Sequence, residues 1–392
     1  MTPLWRNRDF VLLWSGQVVS TLGARMSATA MPLLVLAMTG SPADAGLVGA
    51  AATLPYLIGH LPAGPLVDRW DRRRILLLSE VTAGLVLATV PIALWLDALT
   101  VAHLAVAAFA QGLCFVFFGL AESAALPMIV PAGQVHRAIA QNEVRERGAA
   151  LAGGPLGGLL FGLDRALPFA VDALSYAAAS IALLFLRGNL RPEPTAPPEP
   201  LWRATRTGLR WIRRQPLIRA AILLTAVSNL VFQALGLVLV VLARDGGATA
   251  GEIGVMLGVY AGGGLAGAVA AGTLHRLLPD RTVIIGVVWF WAALLPLFLL
   301  ADGPWQLGAI AAGCAFAGPV WNVVIVGYCA LLTPNELLGR VTSASMTLSW
   351  GVMPVGSLLA GLLLAAAGPG PAVLVLAAIM LAAAVGALRV AR

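Results

Sequence analysis

Four ionisable side chains that could do chemistry lie inside long apolar stretches: Arg25, Glu80, Glu122 and Asp172. If these stretches cross a bilayer, each charge costs about 2.5–3.5 kcal/mol and needs a function or a partner. Carboxylates at that depth can carry protons, and an arginine can bind an acid or an anionic ligand. We take the three acids as candidates for proton coupling and the arginine as a candidate for a substrate cavity. A purely structural role is the alternative for each.

A second set of candidates combines aromatic rings with amides. These residues lie in the fourth, seventh and tenth apolar stretches: Phe115, Phe118, Asn229, Phe232, Gln233, Trp321 and Asn322. Apolar and aromatic walls with a few hydrogen-bonding groups are typical of sites for bulky lipophilic ligands. We assign these residues to a substrate cavity, with packing or contact with lipid as the alternative for each ring.

Other kinds of chemistry find no support in the sequence. It contains no glycine-rich phosphate loop and no evident pair of nucleophile and base. The three cysteines, Cys114, Cys314 and Cys329, are far apart, which gives neither a disulfide framework nor metal-ligand spacing. We expect a protein that is not an enzyme, holds no metal or cofactor and does not use ATP.

The composition indicates where these residues act. Hydrophobic residues make up 59% of the 392 residues and charged residues 11%, against about 45–50% and about 25% in ordinary soluble chains. This balance excludes a soluble domain, and it also excludes a disordered chain, which needs low hydrophobicity and high charge. At about 20 apolar residues per membrane helix, the chain has room for roughly twelve spans.

Apolar stretches bounded by charges or turn residues predict an all-α membrane protein with twelve transmembrane helices. The first six are expected at about 10–38, 45–66, 75–96, 102–125, 140–163 and 166–187. The second six are expected at about 217–243, 251–274, 282–301, 305–332, 340–366 and 370–389. Transmembrane strands would instead alternate over about ten residues.

The arginines give an independent test of this topology. With the N-terminus inside, 22 of the 25 arginines lie on or next to the cytoplasmic side. Arg165 and Arg244 lie outside, and Arg25 lies within the first span. Because cytoplasmic loops carry the basic residues, both termini are predicted to be cytoplasmic. We expect a multi-pass protein of a bacterial inner membrane whose basic charge serves the bilayer and not nucleic acid.

A single long internal linker divides the spans into two sets of six. We predict an N-terminal six-helix bundle over 1–187, a linker over 188–216 and a C-terminal bundle over 217–392. The first part of the linker is proline-rich and should be extended. Its second part, residues 201–214, places arginines beside an apolar stripe, as in a helix lying on an anionic membrane surface. A regulatory partner site is the alternative.

The two halves carry matching residues at fixed offsets. At offsets of 203 and 208 residues the pairs are Pro131–Pro334, Arg137–Arg340, Gly148–Gly351 and Gly158–Gly361, then Gly46–Gly254 and Gly64–Gly272. Parallel repeats related by an axis along the membrane normal are typical of secondary transporters, with the substrate site between the halves. The repeat therefore predicts two pseudo-symmetric bundles.

A short charged turn lies between the second and third spans, with the sequence GPLVDRWDRRR from Gly64 to Arg74. Gly64 permits close helix approach, and Asp68 can pair with arginines. The turn strongly resembles the loop signature of the major facilitator superfamily, and spans, linker and repeat extend that resemblance over nearly the whole chain. In that family Asp68 would latch the halves at the start of span eleven, where Arg340 lies. We assign gating to Gly64, Asp68, Arg69, Arg72, Arg73, Arg137 and Arg340.

The fifth span carries a glycine-dense stretch, GAALAGGPLGGLLFG, from Gly148 to Gly162. Such a face lets two helices pack backbone to backbone. It resembles the antiporter signature of superfamily exporters, which would be carried by Gly154, Pro155, Gly157 and Gly158. We assign these four to conformational change, with plain small-residue packing as the alternative.

The resemblance is strongest to the twelve-helix drug/proton antiporter branch, which includes macrolide and enterobactin exporters. It implies a secondary transporter that exports amphipathic small molecules by alternating access, driven by the proton gradient. Uptake or uniport of a metabolite is the main alternative, and a non-transporting receptor is a third. We expect the partners to be a small-molecule substrate, protons and the lipid bilayer, and the protein to be a monomer.

Overall fold

The computed structural model describes residues 4–188, 190–191, 201–334 and 337–390. These ranges fold into helices and contain no strand. The prediction of an all-α membrane protein is confirmed. The proline-rich part of the linker, 192–200, lies outside the described residues.

Seven helices precede the linker, with bounds that follow the predicted apolar stretches closely. They are α1 (Arg8–Thr39), α2 (Pro42–Ile58), α3 (His60–Arg69), α4 (Arg72–Trp95), α5 (Val101–Ile129), α6 (Val135–Leu163) and α7 (Leu167–Leu184). The predicted second span is thus divided into α2 and α3 at Gly59. Short 3-10 turns cover Leu4–Arg6 and Ala132–Gln134.

The linker helix and the second half follow in the same manner. They are α8 (Leu201–Arg214), α9 (Pro216–Asp245), α10 (Ala250–Leu277), α11 (Asp280–Leu294), α12 (Pro304–Leu332), α13 (Leu338–Trp350), α14 (Met353–Ala367) and α15 (Pro369–Val390). A 3-10 segment, Leu295–Leu300, extends α11. The predicted eleventh span is divided into α13 and α14 next to Gly351.

Ten segments are long and apolar enough to cross a membrane among the residues that the structure describes. Two predicted spans are not among them, because α2 and α3 are each short and α6 begins with several charged residues. The count of twelve and the cytoplasmic termini stay predictions. We call the side on which α1 ends and α2 begins the outer side, as the arginine distribution predicts.

Side-chain caps set where several helices begin. Asn7 accepts a hydrogen bond from the Phe10 amide at the start of α1, and its Nδ2 donates to the Ile129 carbonyl at 2.8 Å. The start of α1 is thereby tied to the end of α5. Gly40, with φ of 67°, terminates α1 in the left-handed conformation that favours glycine. Caps of this kind satisfy amides that lack a partner within the helix.

Small residues let α10 and α12 pack backbone to backbone in the C-terminal half. A Cβ added at Gly267 would lie 2.7 Å from the carbonyl carbon of Phe316, and one at Gly263 would lie 2.5 Å from the Cα of Ala312. Gly272, on the same helix, faces open space. The close approach therefore depends on particular glycines of α10.

Replacing Gly267 with alanine is expected to destabilise the protein by about 1–3 kcal/mol, because the added methyl group overpacks the contact with α12. The measurement is the thermal unfolding midpoint of the purified protein in detergent. Gly272→Ala is the matched control and should leave the midpoint unchanged or slightly raised. Equal midpoints for the two variants would contradict this account of α10 packing.

Candidate functional site

Four charged residues form a continuous network within the N-terminal half. Arg145 on α6 donates to both carboxylate oxygens of Glu122 on α5, at 2.7 and 3.2 Å. Arg145 also reaches Glu146 at 3.3 Å, and the other oxygen of Glu146 lies 3.2 Å from Arg25 on α1. The network therefore joins three helices.

The two ends of this network differ in their access to water. The side chains of Arg145 and Glu122 are 3% and 12% exposed, whereas those of Arg25 and Glu146 are 46% and 36% exposed. A bidentate arginine–carboxylate pair is strong where it is buried and has little net effect where it is exposed. A buried pair and an accessible pair are thus connected through adjacent residues of α6.

The charges at the start of α6 also form a local pair. Arg147 pairs with Glu143 one helical turn away, at 2.6 Å. Asn142 donates to Glu122 at 3.4 Å. The pair of Arg145 with Glu122 could not be expected from sequence, because the two residues lie on different helices.

Glu80 and Asp172 are more deeply buried and have neutral partners. Glu80 on α4 accepts from Gln17 at 2.8 Å and from Ser20 at 3.1 Å, both on α1. Asp172 on α7 accepts from Ser175 at 3.2 Å. They are 3% and 1% exposed. Neither carboxyl group forms an ion pair within the described residues, so an ionised form at either position would lack a counter-ion.

Two of the predicted cavity amides connect helices of the C-terminal half. Asn229 on α9 donates to the Ser349 carbonyl at 2.8 Å, and Gln233 donates to the Ser357 hydroxyl at 2.9 Å. These bonds tie α9 to α13 and α14, on both sides of the helix break. Asn322 is exposed.

The predicted cavity aromatics occupy two kinds of environment. Phe232 packs edge-on against Trp291, and Trp321, which is 2% exposed, packs beside the same ring. Phe118 is partly buried against the apolar cluster of the N-terminal half. Phe115 is 52% exposed. Of the four predicted aromatics, Phe115 is the most exposed.

Sequence reasoning missed an aromatic cluster that joins the two halves. The ring of Tyr56 on α2 lies 5.7 Å from those of Phe115 and Trp350, and His60 lies 5.9 Å from Trp350. Trp350 is the last residue of α13, so the cluster connects both halves of the chain. The only signal in the sequence was a tyrosine and a histidine one turn apart in an apolar stretch.

The two divided helices meet at their breaks. A Cβ added at Gly351, which follows α13, would lie 2.7 Å from the Cδ1 of Leu57 near the end of α2. Gly59 separates α2 from α3. Both breaks thus lie at the level of the aromatic cluster, where the halves touch.

Glycines form the contacts between the halves on the outer side. A Cβ at Gly46 on α2 would lie 2.7 Å from the Cα of Gly361 on α14. A Cβ at Gly158 on α6 would lie 2.8 Å from the Cα of Gly254 on α10. The sequence repeat makes Gly46 equivalent to Gly254 and Gly158 equivalent to Gly361. Gly46 therefore contacts the equivalent of Gly158, and Gly158 contacts the equivalent of Gly46, as a two-fold axis between the halves requires.

The glycine-dense stretch of α6 presents two packing faces. Gly154 and Gly158 face α10, and Pro155 contacts Gly258 on that helix. Gly157 faces α1, where a Cβ would lie 2.9 Å from the Cα of Met26. The stretch thereby touches the other half on one face and the helix of Arg25 on the other.

The arginine-rich turn holds the cytoplasmic ends of N-terminal helices. Arg73 donates to the Leu184 carbonyl at 2.6 Å and Arg72 to the sulfur of Met128. Asp71 caps α4 by accepting from the Arg73 amide at 3.0 Å, and it lies 3.6 Å from Arg191. These contacts join α4 to the ends of α5 and α7.

The remaining gating candidates lie on α3, α6 and α13. Arg69 and Arg137 are exposed, and Gly64 has no atom near its missing side chain. The side chain of Asp68 lies outside the described part of the chain, so the latch to span eleven stays a prediction. The carbonyl of Arg340 packs against Gly208 of the linker helix.

A family described as transmembrane secretion effector matches residues 1–391 of this chain. The multidrug efflux pump Tap of Mycolicibacterium fortuitum is 28% identical over 382 residues, which are 94% of this chain and 92% of that protein. The enterobactin exporter EntS of Escherichia coli O1:K1 is 24% identical over 340 residues, or 85% and 79% of the two chains.

Solved transporter structures share the fold at low sequence identity. The nucleoside transporter NupG superposes with a TM-score of 0.78 at 11% identity, covering 97% of this chain and 99% of its own. A bacterial homologue of the iron transporter ferroportin, in an inward-facing state, superposes with a TM-score of 0.72 at 15% identity, covering 98% of each chain.

Proposed function

The chain belongs to the transmembrane secretion effectors of the major facilitator superfamily, and from this premise we propose that it exports amphipathic small molecules in exchange for protons. Export is supported by relatives that are named an efflux pump and an exporter. The protein is a multi-pass protein of a bacterial inner membrane. We further propose that it works as a monomer, without ATP, metal or cofactor.

The alternating movement takes place between residues 1–187 and 217–392, joined by the linker. On the outer side the halves touch through glycine backbones, Gly46 with Gly361 and Gly158 with Gly254. Opening to the outside separates both contacts, and the aromatic cluster at the two helix breaks is the point about which the halves rock. Arg25, Phe115 and Asn322 are the exposed members of the substrate cavity.

The charge network carries the proposal of proton coupling. Glu122 and Glu146 share the single guanidinium of Arg145, and Glu146 also binds the accessible Arg25. Protonation of Glu146 weakens its ion pairs with Arg145 and Arg25. Arg145 then pairs with Glu122 alone, and Arg25 becomes available to bind the substrate. Glu80 and Asp172, whose partners are neutral, are further candidates for a proton-carrying group.

Everted membrane vesicles provide the test. We expect substrate to cause proton efflux from energised vesicles. The Glu122→Gln variant should reduce this response at least tenfold, because Arg145 then pairs with Glu146 alone and opposes proton uptake by that carboxylate. The initial rate of pH-sensitive fluorescence recovery measures the response.

Asp97→Asn is the matched control, since Asp97 is an exposed loop residue whose positive φ of 52° asparagine tolerates. It should behave as the wild type. Export that continues at full rate after collapse of the proton gradient would contradict coupling. Substrate accumulation on the opposite side would favour the uptake alternative.

A further inference from the structure

An apolar groove runs along the start of α9 and the end of α15 in the cytoplasmic leaflet. It encloses about 450 Å³, and its lining includes Pro216, Leu217, Leu223, Val227 and Gly386. Leu217 and Leu223 are 54% and 58% exposed. Apolar side chains exposed on a membrane helix contact lipid tails, because no water is present at that depth. The groove is therefore open to the bilayer.

The groove has the length of one leaflet. Its α9 wall extends from Pro216 to Val227, which at about 1.5 Å per residue is roughly 16 Å. The hydrocarbon core of a bilayer is about 30 Å thick, so each leaflet contributes about half of that. A Cβ added at Gly386 meets no atom within 4 Å, which leaves the α15 wall open. These dimensions match a single acyl chain lying along α9.

Arginines lie at the cytoplasmic end of the groove. Arg219 lines the groove, and its Nη1 donates to the Arg213 carbonyl at 3.5 Å. Arg213 borders a second cavity of about 500 Å³, which Arg206, Arg210 and Arg214 also line. The contact between Arg219 and Arg213 thus places the cytoplasmic end of the apolar groove beside the positively charged surface of the linker helix.

These arginines lack acidic partners within the described ranges. The ion pairs found there involve other residues, and the α8 sequence LWRATRTGLRWIRR contains no acid. A guanidinium binds phosphate oxygens through two parallel N–H groups. Clusters of arginine at the cytoplasmic surface attract anionic headgroups. Charge complementarity therefore selects a phosphate-bearing anion at this end of the groove.

We propose that an acidic phospholipid binds at this place, with its phosphate held by Arg219 and the four α8 arginines named above and with one acyl chain in the groove between α9 and α15. The lipid joins α9 and α15 to α8. Ile212 of α8 in turn packs with Ile218 and Val341, and Gly208 lies against the carbonyl of Arg340 in α13. Binding thereby braces the linker helix against the cytoplasmic start of the divided span.

The test compares two lipids on the full-length protein in a neutral detergent. Phosphatidylglycerol should raise the thermal unfolding midpoint by several degrees, as a ligand of the folded state does, whereas phosphatidylcholine with the same acyl chains should not. Replacing both Arg213 and Arg219 with glutamine should weaken the apparent affinity at least tenfold. Gly386→Leu, which fills the groove, should do the same with all arginines present.

Matched controls separate the site from general effects. Arg244→Gln, at the outer end of α9, and Gly286→Leu, which also faces open space, should respond to phosphatidylglycerol as the wild type does. Native mass spectrometry counts bound lipid if a variant is less stable. Equal effects of the two lipids, an equal effect of glycerol phosphate alone, or a wild-type response of the groove and arginine variants would each overturn the proposal.

Discussion

Replacing Arg145 with glutamine is expected to destabilise the protein by about 3–5 kcal/mol and to abolish export, because Glu122 loses its counter-ion in the protein interior. The arginine side chain is 3% exposed and holds both oxygens of Glu122. Lysine at this position should be intermediate, since an ammonium group cannot form the bidentate pair. Thermal unfolding in detergent and drug accumulation in cells measure the two effects.

Two further variants give this prediction its controls. Arg147→Gln, two residues away, removes a pair whose side chains are 28% and 59% exposed, so it should cost less than about 1 kcal/mol. The double variant Glu122→Gln with Arg145→Gln should recover most of the stability, because no unpaired charge is left, but not export. A single Arg145→Gln variant as stable as the wild type would show that the pair is not needed for folding.

Substituting leucine for Gly158 is expected to reduce export about tenfold to a hundredfold. The new side chain would collide with the backbone of α10 at Gly254. This overpacking destabilises the outward-closed state by about 1–3 kcal/mol and leaves the outward-open state unaffected, because the two helices are then apart. The population of the outward-closed state falls by the corresponding factor. Transport slows because each cycle must pass through that state.

Gly162→Leu is the control on the same helix, because Gly162 faces open space. A cysteine placed at Ala43, next to Gly361, reports the outer contact in a background whose native cysteines are replaced by alanine. A membrane-impermeant maleimide should label it faster in the Gly158→Leu variant than in the control. Equal labelling and equal export would contradict the closed outer contact.

Helix positions could be predicted from sequence because bilayer thickness fixes the length of each apolar stretch. The breaks at Gly59 and Gly351 could not, since hydropathy continues through both. The repeat gave the equivalence of Gly46 with Gly254 and Gly158 with Gly361. The repeat did not predict that Gly46 contacts Gly361 or that Gly158 contacts Gly254, because these contacts depend on the relative orientation of the two bundles.

Of the charge network, the sequence indicated only Arg25 and Glu122. Burial cost identifies Arg25 and Glu122 as residues that need partners, and neighbouring positions on α6 suggest local pairs such as Glu143 with Arg147. The pairing of Arg145 with Glu122 depends on how α5 and α6 are rotated and spaced relative to each other, which cannot be determined from a single sequence. The lipid groove beside the arginines of α8 could not be predicted either, because α9 and α15, which form it, are far apart in the sequence.

The glycine contacts on the outer side have an electrical consequence. Gly46, Gly361, Gly158 and Gly254 bring together only uncharged backbone, so separating them moves no formal charge through the membrane field. A charge that crosses 100 mV changes the free energy by about 2.3 kcal/mol, and this contact contributes none of that work. Any dependence of the transport rate on membrane voltage must therefore originate away from these glycines, in charged or protonatable residues such as those of the charge network, Glu80 and Asp172, or in the substrate.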